Sequence, residues 1–151
     1  VQDFPVTLAV NPQPDEGQSG SLRTGLHGLN GKLDAIVVAL ADQPLLNQQD
    51  YVDLISAFKK RPDGTRLVVP SVNAFPGNPI IFEESLSPEI LAKDSQFGCK
   101  QWRANHPEQV HFWSTSNKRY SQDIDTPEDI EALANSSGHR LAWPAWLRET
   151  A

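Results

Sequence analysis

The chain has 151 residues, enough for one domain with a real core and with little room for two. Hydrophobic residues make up 38 % and charged residues 21 %, and 13 Lys and Arg against 19 Asp and Glu leave a net charge of −6, which argues against a non-specific nucleic-acid binder and its basic footprint. The single cysteine, Cys99, excludes an intramolecular disulfide, and no apolar run approaches the ~20 residues of a membrane span. The expectation is therefore a cytoplasmic protein of a reducing compartment, with no nucleic-acid or membrane partner. The absence of methionine and the start at Val1 leave two readings open, a removed initiator and a piece of a longer protein.

In chain order, Val6 to Val10 reads as a short β-branched strand. Asn11 to Gly17 is a Pro-rich loop, and Ser21 to Leu26 is a short helix with Leu22, Leu26 and Leu29 on one face, closed by Asn30-Gly31. Asp34 to Leu40 is an unbroken apolar run of strand length, the pattern of a central parallel strand covered on both faces. Gln48 to Lys60 is an amphipathic helix with Tyr51, Leu54, Ile55 and Phe58 at helical spacing. Strands follow over Leu67 to Pro70, Pro79 to Phe82 and Val110 to Trp113. Helices are expected near Pro88 to Ala92, Cys99 to Asn105 and Pro127 to Ala134, with a last turn at Trp143 to Arg148. Alternating strands and helices predict a single three-layer α/β/α domain over residues 1–151, with a mainly parallel, Rossmann-like sheet.

Four segments could carry chemistry. Asp42 directly follows the apolar strand, where ligands of open α/β sheets bind, with Gln43-Pro44 fixing the loop; capping of the next helix is the competing reading. Asp123 to Glu131 holds five acids and no base. Thr126, Pro127 and Asp129 explain themselves as an N-cap, first helical position and capping box, but Asp123 and Asp125 precede the cap and could offer oxygens to a hard cation such as Mg²⁺. Gly17 to Arg23 combines a glycine-containing loop with Ser21 and Arg23, an anion-binding pattern that is equally an ordinary helix start. Gly77-Asn78-Pro79 forces a turn before an apolar strand, and Asn78 could present its amide to a ligand. His27, His106, His111 and His139 show no ligand spacing. Cys99 lacks a nearby His partner, and the tryptophans read as packing residues.

In this order, Asn11-Pro12, Gly17 to Gly25 with Ser21-Leu22-Arg23, Ala41-Asp42-Gln43-Pro44-Leu45-Leu46, Val69-Pro70, Gly77-Asn78-Pro79 and Asp123 to Asp129 resemble the molybdenum-cofactor (MobA-like) nucleotidyltransferases. The Asp-Gln-Pro after the strand resembles the cytidylyltransferase branch, which attaches CMP from CTP to molybdopterin, more than the guanylyltransferase branch, which uses GTP. The resemblance runs from about Asn11 to about Leu133. It implies a nucleotide-diphospho-sugar-transferase-like fold, with Mg²⁺ held between Asp42 and an acid of the Asp123–Asp125 pair, Asp125 preferred. It further implies Ser21, Arg23, Gln43 and Pro44 near the nucleotide and Gly77 and Asn78 near the acceptor. Lys100 replaces the arginine that the family places after an acidic turn, here Asp94. A molybdoenzyme or its chaperone is the implied downstream partner.

The family's opening strand and Leu-Ala-Ala-Gly phosphate loop have no counterpart here, so one or two β-α units of roughly 30 residues each are expected to be missing. The chain then reads as the C-terminal two-thirds of such a domain. Two consequences are expected. Residues 1–151 alone should show little turnover, with a GTP-using or other-acceptor enzyme and a non-catalytic ligand-binding module as alternatives. Exposed sheet edges should also invite a homodimer.

Overall fold

The computed structural model describes residues 4–92 and 98–138. Its centre is β2 (Leu67–Val72), buried at every position. Because side chains alternate along a strand, Leu67 and Val69 enter one layer and Val68 the other. The same alternation operates in β1 (Ala35–Val38), where Ile36 and Val38 face the first layer and Ala35 and Val37 the second. In β4 (Ile80–Glu83), Ile80 and Phe82 oppose Ile81 in the same way. Helix α2 (Gln48–Lys59) covers the second layer with Leu54 and Phe58. Helices α1 (Gly17–His27), α3 (Ser87–Leu91) and α4 (Gly98–Asn105) cover the first with Leu22, Leu26, Ile90 and Trp102. The arrangement is the expected three-layer α/β/α sandwich.

The sheet is mixed rather than mainly parallel. Its order is β1-β4-β2, with β3 (Phe75–Pro76) and β5 (Val110–Ser114) also paired to β2. β1, β2 and β5 run the same way, and β2–β5 is a parallel pair, but β4 lies antiparallel between β1 and β2. The reason is connection length. A parallel return needs a crossover of a dozen or more residues, and β2 reaches β3 and β4 through a tight hairpin at Asn73-Ala74, both at positive φ as a two-residue primed turn requires.

That hairpin is interrupted. Val72 faces Phe75 and Ser71 faces Pro76, so an unbroken ladder would set Val68 opposite Pro79; it faces Ile81 instead. Two residues are therefore looped out around Gly77-Asn78-Pro79, where the Asn78–Pro79 bond is cis. Pro70, without an N–H, falls between the stretch of β2 paired to β4 and the stretch paired to β3, and its carbonyl accepts from Gly77 N at 2.8 Å.

Other expectations change as well. Val6 to Val10 is not a strand: it is irregular and exposed, with Leu8 at 71 % and Val10 at 85 %, because no strand lies beside it among the described residues. β1 is shorter than Asp34–Leu40 and only half-buried, since β4 is its one strand partner among the described residues. The glycine loop is absorbed into α1, which begins at Gly17, so Ser21 stands inside the helix rather than at its cap. Helix α5 (Pro127–Ser137) starts as expected, with Thr126 and Asp129 forming a capping box. The turn expected at Trp143 to Arg148, His139 and the acidic turn at Asp94 lie outside the described residues.

Candidate functional site

The site is assembled where β1 ends. Beyond Val38 the chain leaves the sheet through Leu40 and Asp42 before α2 begins, so the loop 41–47 lies at the carboxyl end of a strand. The Asp42 carbonyl accepts from Ile124 N at 2.9 Å. This backbone bond brings the loop against the segment Asp123–Asp125, whose two acids flank Ile124. The two acidic segments are thus neighbours along the backbone.

Two acceptor oxygens here are uncommitted. Asp42 Oδ1 is buried without a hydrogen-bond partner, and so is Oε1 of Gln43, a residue only 6 % exposed. Burying an acceptor without a partner costs about 1–3 kcal/mol, so each of these oxygens is a candidate to accept from a donor or a cation. Gln43 is held by its other end: Nε2 donates to the Tyr120 carbonyl at 3.3 Å. That carbonyl also accepts from Asn78 N at 2.8 Å, which draws the looped-out Gly77-Asn78-Pro79 segment to the same point. Only glycine fits at position 77, because a Cβ there would lie 2.2 Å from the Tyr120 carbonyl oxygen.

Five of the predicted residues fall in two clefts, and Asp42, Gln43 and Asp125 line neither. The first, about 230 Å³, is lined by Gly77, Asn78 and Lys100 together with Gln18, Ser19 and Arg103. The N-terminal turns of α1 and α4 meet there, and their contact is so close that a Cβ on Gly98 would stand 2.9 Å from Ser19 Oγ. The second, about 430 Å³, is lined by Pro44, Asp123 and Asp129 among others. Asp125 is exposed and its backbone N–H donates to Asp129 Oδ2 at 3.1 Å, as part of the α5 cap. Ser21 is not brought to either cleft. It lies along an adjoining trough of about 370 Å³ beside β1, which shares Gln18, Leu22, Val38 and Leu40 with the first cleft, and its Oγ accepts from Asn11 Nδ2 at 3.2 Å. Arg23, half-buried on the same helix, lines neither of the two clefts. No group of three His, Cys, Asp or Glu side chains among the described residues is arranged to hold an ion.

Sequence reasoning missed the residues that brace the site. Asp50, in the first turn of α2, is fully buried. Its carboxylate accepts from Arg119 Nε at 2.9 Å and Nη2 at 2.6 Å, from Asn117 Nδ2 at 2.7 Å and from Asn47 N at 2.9 Å. Its carbonyl accepts from the Tyr120 hydroxyl at 2.6 Å. The Arg119 hydrogen bonds, helped by Asn47 and Asn117, hold the Asp50 carboxyl below the usual aspartate range against the opposing effect of burial. Burial raises the Tyr120 phenol in turn. The spacing Asn47-x-x-Asp50 signals a capping box, but nothing in the sequence signals a partner 69 residues further on.

Cys99 behaves as a core residue. Burial pushes its thiol up to about 11, so it is no nucleophile. Trp102 packs, as expected, stacking on His106 and donating from Nε1 to Glu89 at 2.8 Å. No helix of the described residues is long and apolar enough to cross a membrane.

Comparison with known proteins bears on this geometry. A family model for the MobA-like NTP transferase domain matches residues 1–110. No curated protein matches the chain. Among solved structures, Rv0371c from Mycobacterium tuberculosis H37Rv is similar with a TM-score of 0.61 and 23 % identity, over 78 % of this chain and 60 % of that one. A homologue of it from mycobacterium sp. strain JC1 gives 0.59 and 21 %, over 77 % and 56 %. A manganese complex of Rv0371c from the H37Rv strain gives 0.57 and 22 %, over 77 % and 60 %. At these identities the likeness establishes the fold. The matched part of this chain corresponds to about 60 % or less of each of those structures.

Proposed function

The chain belongs to the MobA-like NTP transferase domain family, and from that premise we propose that it acts in a Mg²⁺-dependent nucleotidyl transfer from CTP to molybdopterin. The observation that carries the reading is the pair of uncommitted buried oxygens, Asp42 Oδ1 and Gln43 Oε1, on a loop whose backbone bonds to the Asp123–Asp125 segment. Such a donor set suits a hard cation. Mg²⁺ takes oxygen ligands, keeps several waters and needs only one or two protein carboxylates when substrate phosphates complete its shell. Fewer than three protein ligands is therefore the expected number. The manganese complex of Rv0371c supports a divalent cation in this fold.

In this reading Asp42 and one acid of the pair Asp123 and Asp125 hold the ion, and Gln43 adds an amide oxygen. When bound, the ion supplies charge neutralisation at the transferring phosphoryl group. A phosphate oxygen of the acceptor forms a bond to the α-phosphorus of CTP, the bond from that phosphorus to the bridging β-phosphate oxygen breaks, and pyrophosphate leaves. The protein's part is positioning and electrostatics. Lys100 and Arg103 attract the acceptor phosphate into the 230 Å³ cleft, and Asn78 orients it there through its amide. Pro44 fixes the loop that carries Asp42 and Gln43. Ser21 and Arg23 do not line this cleft, and in this reading they sit toward the nucleotide.

Calorimetric titration with CTP and with GTP, each with and without Mg²⁺, tests the reading. Binding that requires the ion and favours CTP supports it. Equal binding without the ion, or a preference for GTP, contradicts the metal role or the CTP assignment respectively.

A further inference from the structure

Asp50 and Arg119 take no part in the chemistry proposed above, yet they close a ring around it. From Asp42 the chain runs through Gln43 and the N-cap Asn47 to Asp50. From Asp50 the ring crosses to Arg119, Asn117 and Tyr120 by side-chain bonds of 2.6 to 2.9 Å. From Tyr120 it passes along the backbone to Ile124, whose N–H returns to the Asp42 carbonyl. A second spoke, Gln43 Nε2 to the Tyr120 carbonyl, spans the ring.

We infer that the Asp50–Arg119 pair is a positioning device that sets the separation between Asp42 and the Asp123–Asp125 segment and thereby tunes cation affinity; this rests on the proposed metal role of those acids. The arrangement suits the task. A bidentate fork fixes both distance and orientation, which a lysine point charge does not. Asp50 is fully buried and anchored in the α2 cap, so the fork transmits the position of a rigid helix to the turn that precedes Asp123. Residues that orient ligands from behind typically change metal affinity 10–100-fold when altered.

The test is the affinity for Mn²⁺ alone, read from the electron paramagnetic resonance of the free ion during titration of the intact chain. Two variants are compared: Arg119→Lys, which keeps the charge and loses the fork, and the neutral pair Asp50→Asn with Arg119→Gln, which leaves no lone buried charge. Arg61→Ala serves as the control, because it breaks a 2.6 Å ion pair with Glu83 beyond the other end of α2. The expected result is an affinity about 10-fold weaker in both pair variants, with cooperative melting retained, and unchanged affinity in Arg61→Ala. Wild-type affinity in the folded pair variants overturns the inference, as does an equal loss in Arg61→Ala, which marks a general effect of stability. Absence of Mn²⁺ binding by the wild-type chain, both alone and with CTP present, overturns the proposed metal role itself, and the inference with it.

Discussion

The amide of Ile124 donates to the carbonyl of Asp42 at 2.9 Å, so the two acidic segments of the candidate site are joined through backbone and not through their side chains. Substituting the Asp42 carboxylate leaves this link intact. Asp42→Asn also gives up no hydrogen bond at Oδ1, which has none. The expected change in unfolding free energy is within about 0.5 kcal/mol, as for substitutions that break no named contact. Urea denaturation followed by tryptophan fluorescence checks it.

Gly77 is fixed by the approach of another backbone. A methyl group there would meet the Tyr120 carbonyl oxygen at 2.2 Å, and the obstructing atom is main chain that cannot rotate away. Gly77→Ala is expected to destabilise the fold by roughly 1–3 kcal/mol, the cost of overpacking. It should also weaken acceptor-side binding, since relief requires the Asn78–Tyr120 bond to lengthen. A shift of the denaturation midpoint at unchanged slope is the signature to measure.

How much of this was legible in the sequence follows from range. Local signals carried through: the α5 start was written in Thr126, Pro127 and Asp129, and α2 in the spacing of Tyr51, Leu54, Ile55 and Phe58. Strand end and carboxylate coincide at Asp42, so its place was readable too. Two local errors had physical causes. Val6 to Val10 has the composition of a strand, but a strand exists only beside another. The glycines at 17 and 20 looked like a loop, yet α1 accommodates both. What the sequence hid was long-range. The antiparallel β4 depended on counting too few residues between β2 and β4 for a crossover. The fork between Asp50 and Arg119 leaves no trace in either segment alone.

The same fork predicts a pH dependence. Arg119 depresses the folded-state pKa of Asp50. A depressed carboxylate contributes stability that is present above its unfolded pKa and is lost as pH falls through the folded one. Wild type should therefore be more stable than the neutral Asp50→Asn, Arg119→Gln protein at pH 6 to 8. The difference should shrink once pH falls below about 4, the ordinary aspartate value. Denaturation midpoints of both proteins across pH 3 to 8 test this, and a difference that does not change with pH contradicts it.

β1 pairs on one side only among the described residues, and apolar side chains flank it on both faces, Leu22, Leu26 and Val38 in one trough and Val37, Ile55 and Phe58 in another. Strands left open in this way associate. Self-association of the chain is expected to rise with concentration in multi-angle light scattering. Substituting Leu29, which lines the first trough and is exposed, by Lys should reduce it, and a monodisperse monomer at all concentrations would count against it.

The central claim is that Asp42 and the neighbouring acidic segment hold a divalent cation. The direct measurement is Mn²⁺ affinity of the wild-type chain against Asp42→Asn, with the melting temperature recorded on the same samples. The account predicts saturable binding to wild type, lost by at least about 10-fold in the variant, at an unchanged melting temperature. Equal Mn²⁺ affinity in the two proteins would remove Asp42 from the site.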